Sequence, residues 1–238
     1  MPDTTASPRY APTSRTRIRR HPERAHYDRD SVFAILDAAL LCHVGYVIDG
    51  RPYVTPTLFW REGERLYWHG SSASRMLRVQ AEGIPVCLTV SHVDGLILAR
   101  CAFRHSLNYR AVMAFGTAYR IDDPAEKEAG FNALIERLYP GRTALMRAIT
   151  PQELKATSLM SMIIDEASAK IRDGGPLDLD SDYAAACWAG LVPIAQRVGA
   201  PVPDAIAPPR TAPETEIGDF AEGVRFDDIL LALARRQY

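Results

Sequence analysis

The sequence predicts a mainly β protein with flanking helices, in which six antiparallel strands close into a small barrel. Three observations carry that expectation. Strand-length runs rich in apolar, β-branched and aromatic residues follow one another between positions 41 and 121. Asp49-Gly50 and Asp94-Gly95 sit between such runs, and both dipeptides suit the positive φ angles of a two-residue hairpin. Helices do not alternate with the strands, which disfavours a parallel doubly wound sheet.

The elements follow in order. Residues 1–28 are rich in Pro, Thr, Ser and Arg with little apolar periodicity, and are expected to form a flexible tail. Asp30 or Ser31 caps a short helix whose Val32, Ile35, Leu36 and Ala39 share one face. Strands are expected at 41–48, 51–60 and 65–69, a helix at 74–81, then strands at 85–92, 96–102 and 112–121. Gly116 interrupts the sixth strand, where a bulge or a close backbone approach is expected. Pro124 opens an amphipathic helix to about residue 139, burying Phe131, Leu134, Ile135 and Leu138. A short helix at 151–157 and a seventh strand at 158–166 follow. Five prolines between 200 and 218 read as an extended linker, and 220–236 as an amphipathic segment, helical from Phe226. This gives one domain over residues 29–198 with two appendages, 1–28 and 199–238.

Composition narrows the function. Apolar residues make up 47% of the 238, enough for a proper core. A net charge of −1 provides no long-range field for nucleic acid or an anionic membrane. No apolar run approaches the roughly 20 residues of a membrane span. Arg15, Arg17, Arg19 and Arg20 lack a following apolar core, so the N-terminus does not read as a secretory signal. Cys42, Cys87, Cys101 and Cys187 form no Cys-x-x-Cys pair, which argues against disulfides and a zinc site and makes the cytoplasm the default compartment.

Three polar groups of residues stand out. Val54-Thr55-Pro56-Thr57 places a proline inside a strand, where it cannot donate to a ladder. That is either an edge-strand proline or a place where a flat ring can lie. Tyr67-Trp68-His69-Gly70-Ser71-Ser72-Ala73-Ser74-Arg75 ends a strand in a serine-rich turn and meets an arginine where a helix starts. Small hydroxyls, backbone N–H groups and a guanidinium together suit a phosphate monoester. A serine-rich turn capped by Ser74 is the simpler alternative. Arg104 to Arg110, with His105, Ser106, Asn108 and Tyr109, is a polar cluster before the sixth strand, rich in donors for a phosphate or a ring carbonyl.

In this order these segments, with Pro85-Val86-Cys87-Leu88-Thr89-Val90, the Asp94 to Arg100 stretch, Ser106 to Gly116 and Trp188-Ala189-Gly190, resemble the pyridoxamine 5′-phosphate oxidase-related family. The branch most similar is that of the flavin-nucleotide-binding and nitroimidazole-resistance proteins, and the resemblance spans roughly residues 17–195. It implies a split β-barrel homodimer with FMN in grooves between the subunits. Ser74 and Arg75 would hold the FMN phosphate, with His69, Gly70 and Ser71 lining the same turn. Thr55, Pro56 and Thr57 would run beside the isoalloxazine edge, Asn108 and Arg110 would close the site, and Trp188 would pack near the flavin from the partner subunit. His69 matches a histidine beside the active site of the nitroimidazole-resistance proteins, which makes it the catalytic candidate.

Two departures bear on activity. The Arg-x-x-Leu-Leu-Lys strand of true pyridoxamine phosphate oxidases is replaced here by Tyr53 to Leu58, and their Arg-x-His pair has no counterpart after Trp188. The implied function is therefore an FMN-dependent oxidoreductase acting on a small molecule, with a nitroaromatic or quinone-like acceptor, and not the vitamin-salvage oxidase. Without a Gly-x-Gly-x-x-Gly fingerprint, a nicotinamide cofactor would bind only transiently on the open flavin face. The alternative is a flavin- or haem-binding carrier or sensor of the same fold, with His43, His69, His92 and His105 as potential axial ligands.

Overall fold

A computed structural model describes residues 8–206 and 216–237. Nine strands form one antiparallel sheet: β1 (Ala25–His26), β2 (Leu41–Ile48), β3 (Arg51–Glu62), β4 (Arg65–Ser71), β5 (Ile84–Leu98), β6 (Ser106–Ile121), β7 (Thr157–Ile163), β8 (Glu166–Arg172) and β9 (Gly190–Pro193). Their order is β1-β8-β6-β7-β4-β3-β2-β5-β9, and a further β5–β6 pairing closes six of them into a ring. The helices are α1 (Arg29–Asp37), α2 (Arg75–Gln80), α3 (Pro124–Leu138), α4 (Pro151–Ala156) and α5 (Phe226–Arg235). None of the described helices is long and apolar enough to cross a membrane.

The six-stranded barrel agrees with the expectation, but its membership differs. Residues 85–102 were expected as two strands around an Asp94-Gly95 hairpin; Ile84–Leu98 form the single long β5, with a register shift between Val93 and Gly95, and 99–102 lie beyond it. The glycine serves a close approach instead of a tight turn. A Cβ at Gly95 would lie 2.5 Å from Leu191 Cδ1 and 3.0 Å from the Val192 carbonyl of β9. The sixth wall of the barrel is β7, and β8 was not expected at all. Asp49-Gly50 does turn the expected hairpin, with φ of 50° and 73°.

Gly116 is where β6 changes partner. Residues 109–115 pair with β8 and residues 118–121 with β7. A Cβ at Gly116 would lie 2.2 Å from the Ile163 carbonyl, closer than any side chain tolerates. The crossing that splits the barrel therefore depends on a missing side chain.

Val44, Leu66, Trp68, Leu88, Val112 and Met160 fill the interior, and α1 adds Val32, Ile35 and Leu36. Cys42 belongs to this core, and burial pushes its thiol up to about 12, so it behaves as a small hydrophobe. A second cluster lies outside the β3–β4–β7 wall, where Trp60 and Leu159 meet Leu134 and Leu138 of α3 and Leu230 of α5.

One buried ionic knot ties these layers. Both carboxylate oxygens of Asp37 accept from Arg61, and Arg137 Nη2 donates to Asp37 Oδ1 at 2.8 Å. Arg137 Nη1 donates to the Arg61 carbonyl at 2.9 Å, and the Arg61 guanidinium lies 4.1 Å from the Phe33 ring centroid. All three charged side chains are buried.

The N-terminal segment differs from the expected flexible tail over its described part. Tyr10 is buried, its N–H donates to the Tyr27 carbonyl at 2.9 Å, and β1 pairs with β8. Thr13 and Arg15 both donate to Glu166. The segment follows β8, an element whose outer side would otherwise be an open edge. Residues 1–7 of that tail and 207–215 of the expected proline-rich linker lie outside the described residues. The final helix begins at Phe226, as expected.

Candidate functional site

The site begins where β3 and β4 part. They pair only from Phe59↔Trp68 to Glu62↔Arg65; beyond that, β3 continues against β2 and β4 against β7. The Thr57 hydroxyl still reaches the His69 carbonyl, at 3.4 Å. Past this contact the strands diverge, with Tyr53, Thr55 and Pro56 on one side and Gly70 and Ser71 on the other.

A tight turn then carries the chain into α2. Ser74 N–H donates to the Ser71 carbonyl at 2.9 Å, and Ala73 N–H to Ser71 Oγ at 3.2 Å. Ser74 is the N-cap, but its hydroxyl makes no capping bond to the helix. Gly70 lets α2 approach, since a Cβ there would lie 3.1 Å from Leu77 Cδ1. Arg75 is exposed, with its guanidinium 4.6 Å from the centroid of the Tyr53 ring. Tyr53 stacks in turn on Tyr46, with centroids 5.7 Å apart and planes at 15°, and the Tyr46 hydroxyl is 3.0 Å from Thr55 Oγ1. Among the described residues, no carboxylate pairs with Arg75. A cation on an aromatic shelf, beside a hydroxyl that makes no capping bond, can hold an anionic group attached to a flat ring.

His69 faces the other side of β4. Its ring meets Phe131 edge-on at 5.4 Å and lies 6.3 Å from Trp60, which stacks on Tyr67 at 5.2 Å. Its Nδ1 is buried without a hydrogen-bond partner. Burial pushes the imidazole below its ordinary value, so the ring is neutral at neutral pH. An orphaned ring nitrogen among aromatic side chains costs free energy in the bare protein, and a ligand that engages it removes that cost.

The remaining sequence-derived candidates lie elsewhere in the chain. Asn108 and Arg110 belong to β6, not to a loop preceding it. Asn108 is buried, donates to the Gly174 carbonyl at 2.9 Å and accepts from Arg172 at 2.5 Å. Arg110 forks onto Asp94 at 2.9 and 2.7 Å and also donates to Asp227 of α5 at 2.9 Å. These carboxylates raise its affinity for its proton still further. Both side chains are thus committed to the protein itself. Arg110 borders a cleft of about 380 Å³ between His43, Asp94 and the C-terminal residues Phe226 and Asp227. Trp188 is exposed and folds over Gly190, on the β9 side of β5.

Sequence reading overlooked Tyr46 and Tyr53. The signal was present: the Asp49-Gly50 hairpin fixes the register that sets 46 opposite 53. The contacts of His69 with Phe131 and of Arg110 with Asp227 join distant parts of the chain, so no local pattern reveals them.

The fold defines a class, a split antiparallel barrel with a serine-rich turn where two of its strands part. The sequence model described as pyridoxamine 5′-phosphate oxidase matches residues 28–171, and the chain belongs to that family. Curated proteins provide no match. Among solved structures, the flavocytochrome Anf3 from Azotobacter vinelandii is 43% identical, with a TM-score of 0.83 over 90% of this chain and 100% of that one. The FAD and haem binding protein from Mycobacterium smegmatis is 36% identical, with a TM-score of 0.79 over 85% of this chain and 98% of that one. A candidate 5-nitroimidazole antibiotic resistance protein from Bacteroides thetaiotaomicron is 22% identical, at TM-score 0.52 over 62% and 86% of the two chains, a likeness of fold alone.

Proposed function

We propose that this chain is a flavin-binding redox protein that also holds a haem. The flavin phosphate would sit on the turn from Ser71 to Arg75, and His69 would ligate the haem iron. The observation that carries the flavin reading is Arg75, a guanidinium without an anionic partner among the described residues, lying on Tyr53 next to Ser74. The haem reading is favoured by the buried, unpartnered Nδ1 of His69 and by the two relatives above, a flavocytochrome and a FAD and haem binding protein. FMN is the flavin that the family resemblance implies; FAD carries a phosphate at the same position of its ribityl chain, as part of a pyrophosphate.

When bound, a flavin supplies one- and two-electron transfer and a haem supplies one-electron transfer at its iron. This chain's residues do the binding and tuning. Arg75 neutralises phosphate charge, and Thr55 and Thr57 offer hydroxyls along β3. His69 stays neutral because it is buried, which is the state an iron ligand requires. The outward faces of β2, β3 and β5 expose Leu41, Val47, Val54 and Val93, an apolar surface suited to a second copy in a two-fold dimer. A small acceptor, nitroaromatic or quinone-like, would reach the flavin at that seam, and a nicotinamide cofactor would bind there transiently.

Absorption and mass analysis of the protein as purified test this directly. Two broad visible flavin bands with an intense Soret band are expected. His69→Ala is expected to remove the Soret band and retain the flavin bands. A Soret band unchanged in that variant overturns the ligand assignment, and the absence of any flavin from the wild type overturns the reading. Stopped-flow reduction by nicotinamide cofactors then separates an enzyme from a carrier.

A further inference from the structure

A second feature of the molecule is electrostatic and lies away from α2. The N-terminal segment crosses the outer side of β6 and β8 and leaves a groove of about 380 Å³. Arg17, Arg19, Arg20 and Lys170 line its walls, with Tyr109 and Met113 on its floor. Arg17, Arg19 and Arg20 are exposed, and among the described residues their guanidinium groups have no hydrogen-bond or ion-pair partner. Lys170 Nζ donates only to the Arg20 carbonyl, at 3.4 Å, which leaves its charge uncancelled.

Two of the nearby acids are already engaged. Glu166 accepts from Thr13 and Arg15, and Glu23 pairs with His21 and Arg24. Four positive charges therefore converge on one groove of a molecule whose formal net charge is −1. Like charges brought together repel unless a multivalent anion lies between them. Arginine forks match phosphate oxygens, and the half-buried Tyr109 ring on the floor offers a stacking surface for a base.

We infer that this groove binds a nucleoside diphosphate group, its phosphates among Arg17, Arg19 and Arg20 and its base on Tyr109. The source is a separate dinucleotide, since the flavin's own phosphate is placed on the Ser71–Arg75 turn, which contributes no residue to this groove. The charges that define the groove do not depend on the flavin reading.

Calorimetric titration with ADP tests this, on the purified protein freed of ligand and on the same protein loaded with FMN or FAD. ADP is expected to bind the ligand-free protein. The Arg17→Gln/Arg19→Gln/Arg20→Gln variant is expected to bind it at least about tenfold more weakly at an unchanged melting temperature, the loss of a single charged contact being enough for that. Arg75→Ala is expected to leave ADP affinity unaltered. Loading with FAD is expected to leave ADP binding intact, and its abolition would overturn a separate dinucleotide as the occupant. Absence of ADP binding to ligand-free protein overturns the proposal. So does equal affinity in the triple variant, or affinity lost with Arg75 instead. If only the flavin reading fails, FMN does not bind while the ADP results stand.

Discussion

Arg75 and Arg110 sit on the same barrel in opposite circumstances. Arg110 is satisfied from three directions, by both oxygens of Asp94 and by Asp227. Among the described residues, the Arg75 guanidinium has an aromatic ring as its partner and no carboxylate. Asp37, Arg61 and Arg137 extend the first pattern, with every charge buried and answered inside the fold. The contrast separates charges that hold the protein together from one available to a ligand. A committed ion pair should report on stability when broken, and an uncommitted one on binding.

The largest expected effect lies on the committed side. Asp37→Ala leaves two arginines buried without a counter-ion and is expected to destabilise the fold by roughly 3–5 kcal/mol. Chemical denaturation measures it, and a loss below about 1 kcal/mol would show that water reaches the knot.

Arg75→Ala is the reciprocal case. Flavin affinity is expected to fall roughly ten- to hundredfold, equivalent to about 1.5–3 kcal/mol for a charged hydrogen bond. The melting temperature of the ligand-free protein should not move. A destabilised variant with normal flavin affinity would erase the distinction between the two arginines.

The smallest effect concerns the latch of α5. Arg225 and Arg110 hold the Asp227 carboxyl down at about 2, below its ordinary range near 3.9. With its folded pKa depressed, the stabilisation it gives is complete above the unfolded value and fades as pH falls towards about 2. Asp227→Asn is expected to lower stability by about 1–2 kcal/mol between pH 5 and 8, with the gap to wild type closing in acid. A gap that stays constant down to pH 2 would mean that the carboxylate charge contributes nothing.

Much of the barrel was legible because its signals are local. Period-two runs defined β2, β3 and β4, and Asp49-Gly50 set the register between the first two of them. The serine-rich turn was legible for the same reason, as its hydroxyls, glycine and arginine lie within seven residues. Asp94-Gly95 carried the same hairpin signature and misled. Its glycine answers to β9, whose approach is a contact across almost a hundred residues. β8 and the ordered N-terminal segment escaped because each is stabilised by the other and by β6, and neither has a strong pattern of its own.

By itself the sequence determined β2, β3 and β4, where the first hairpin turns and which residues form the serine-rich turn, because backbone propensity and hydrophobic period act over a few residues. Only the tertiary structure decided which polar groups remained free. Arg75 and Arg110 are alike as residues, and the difference between them is the presence of Asp94 and Asp227, brought from 16 and 117 positions away. Charge pairing falls off within ångströms in space and has no regard for distance along the chain.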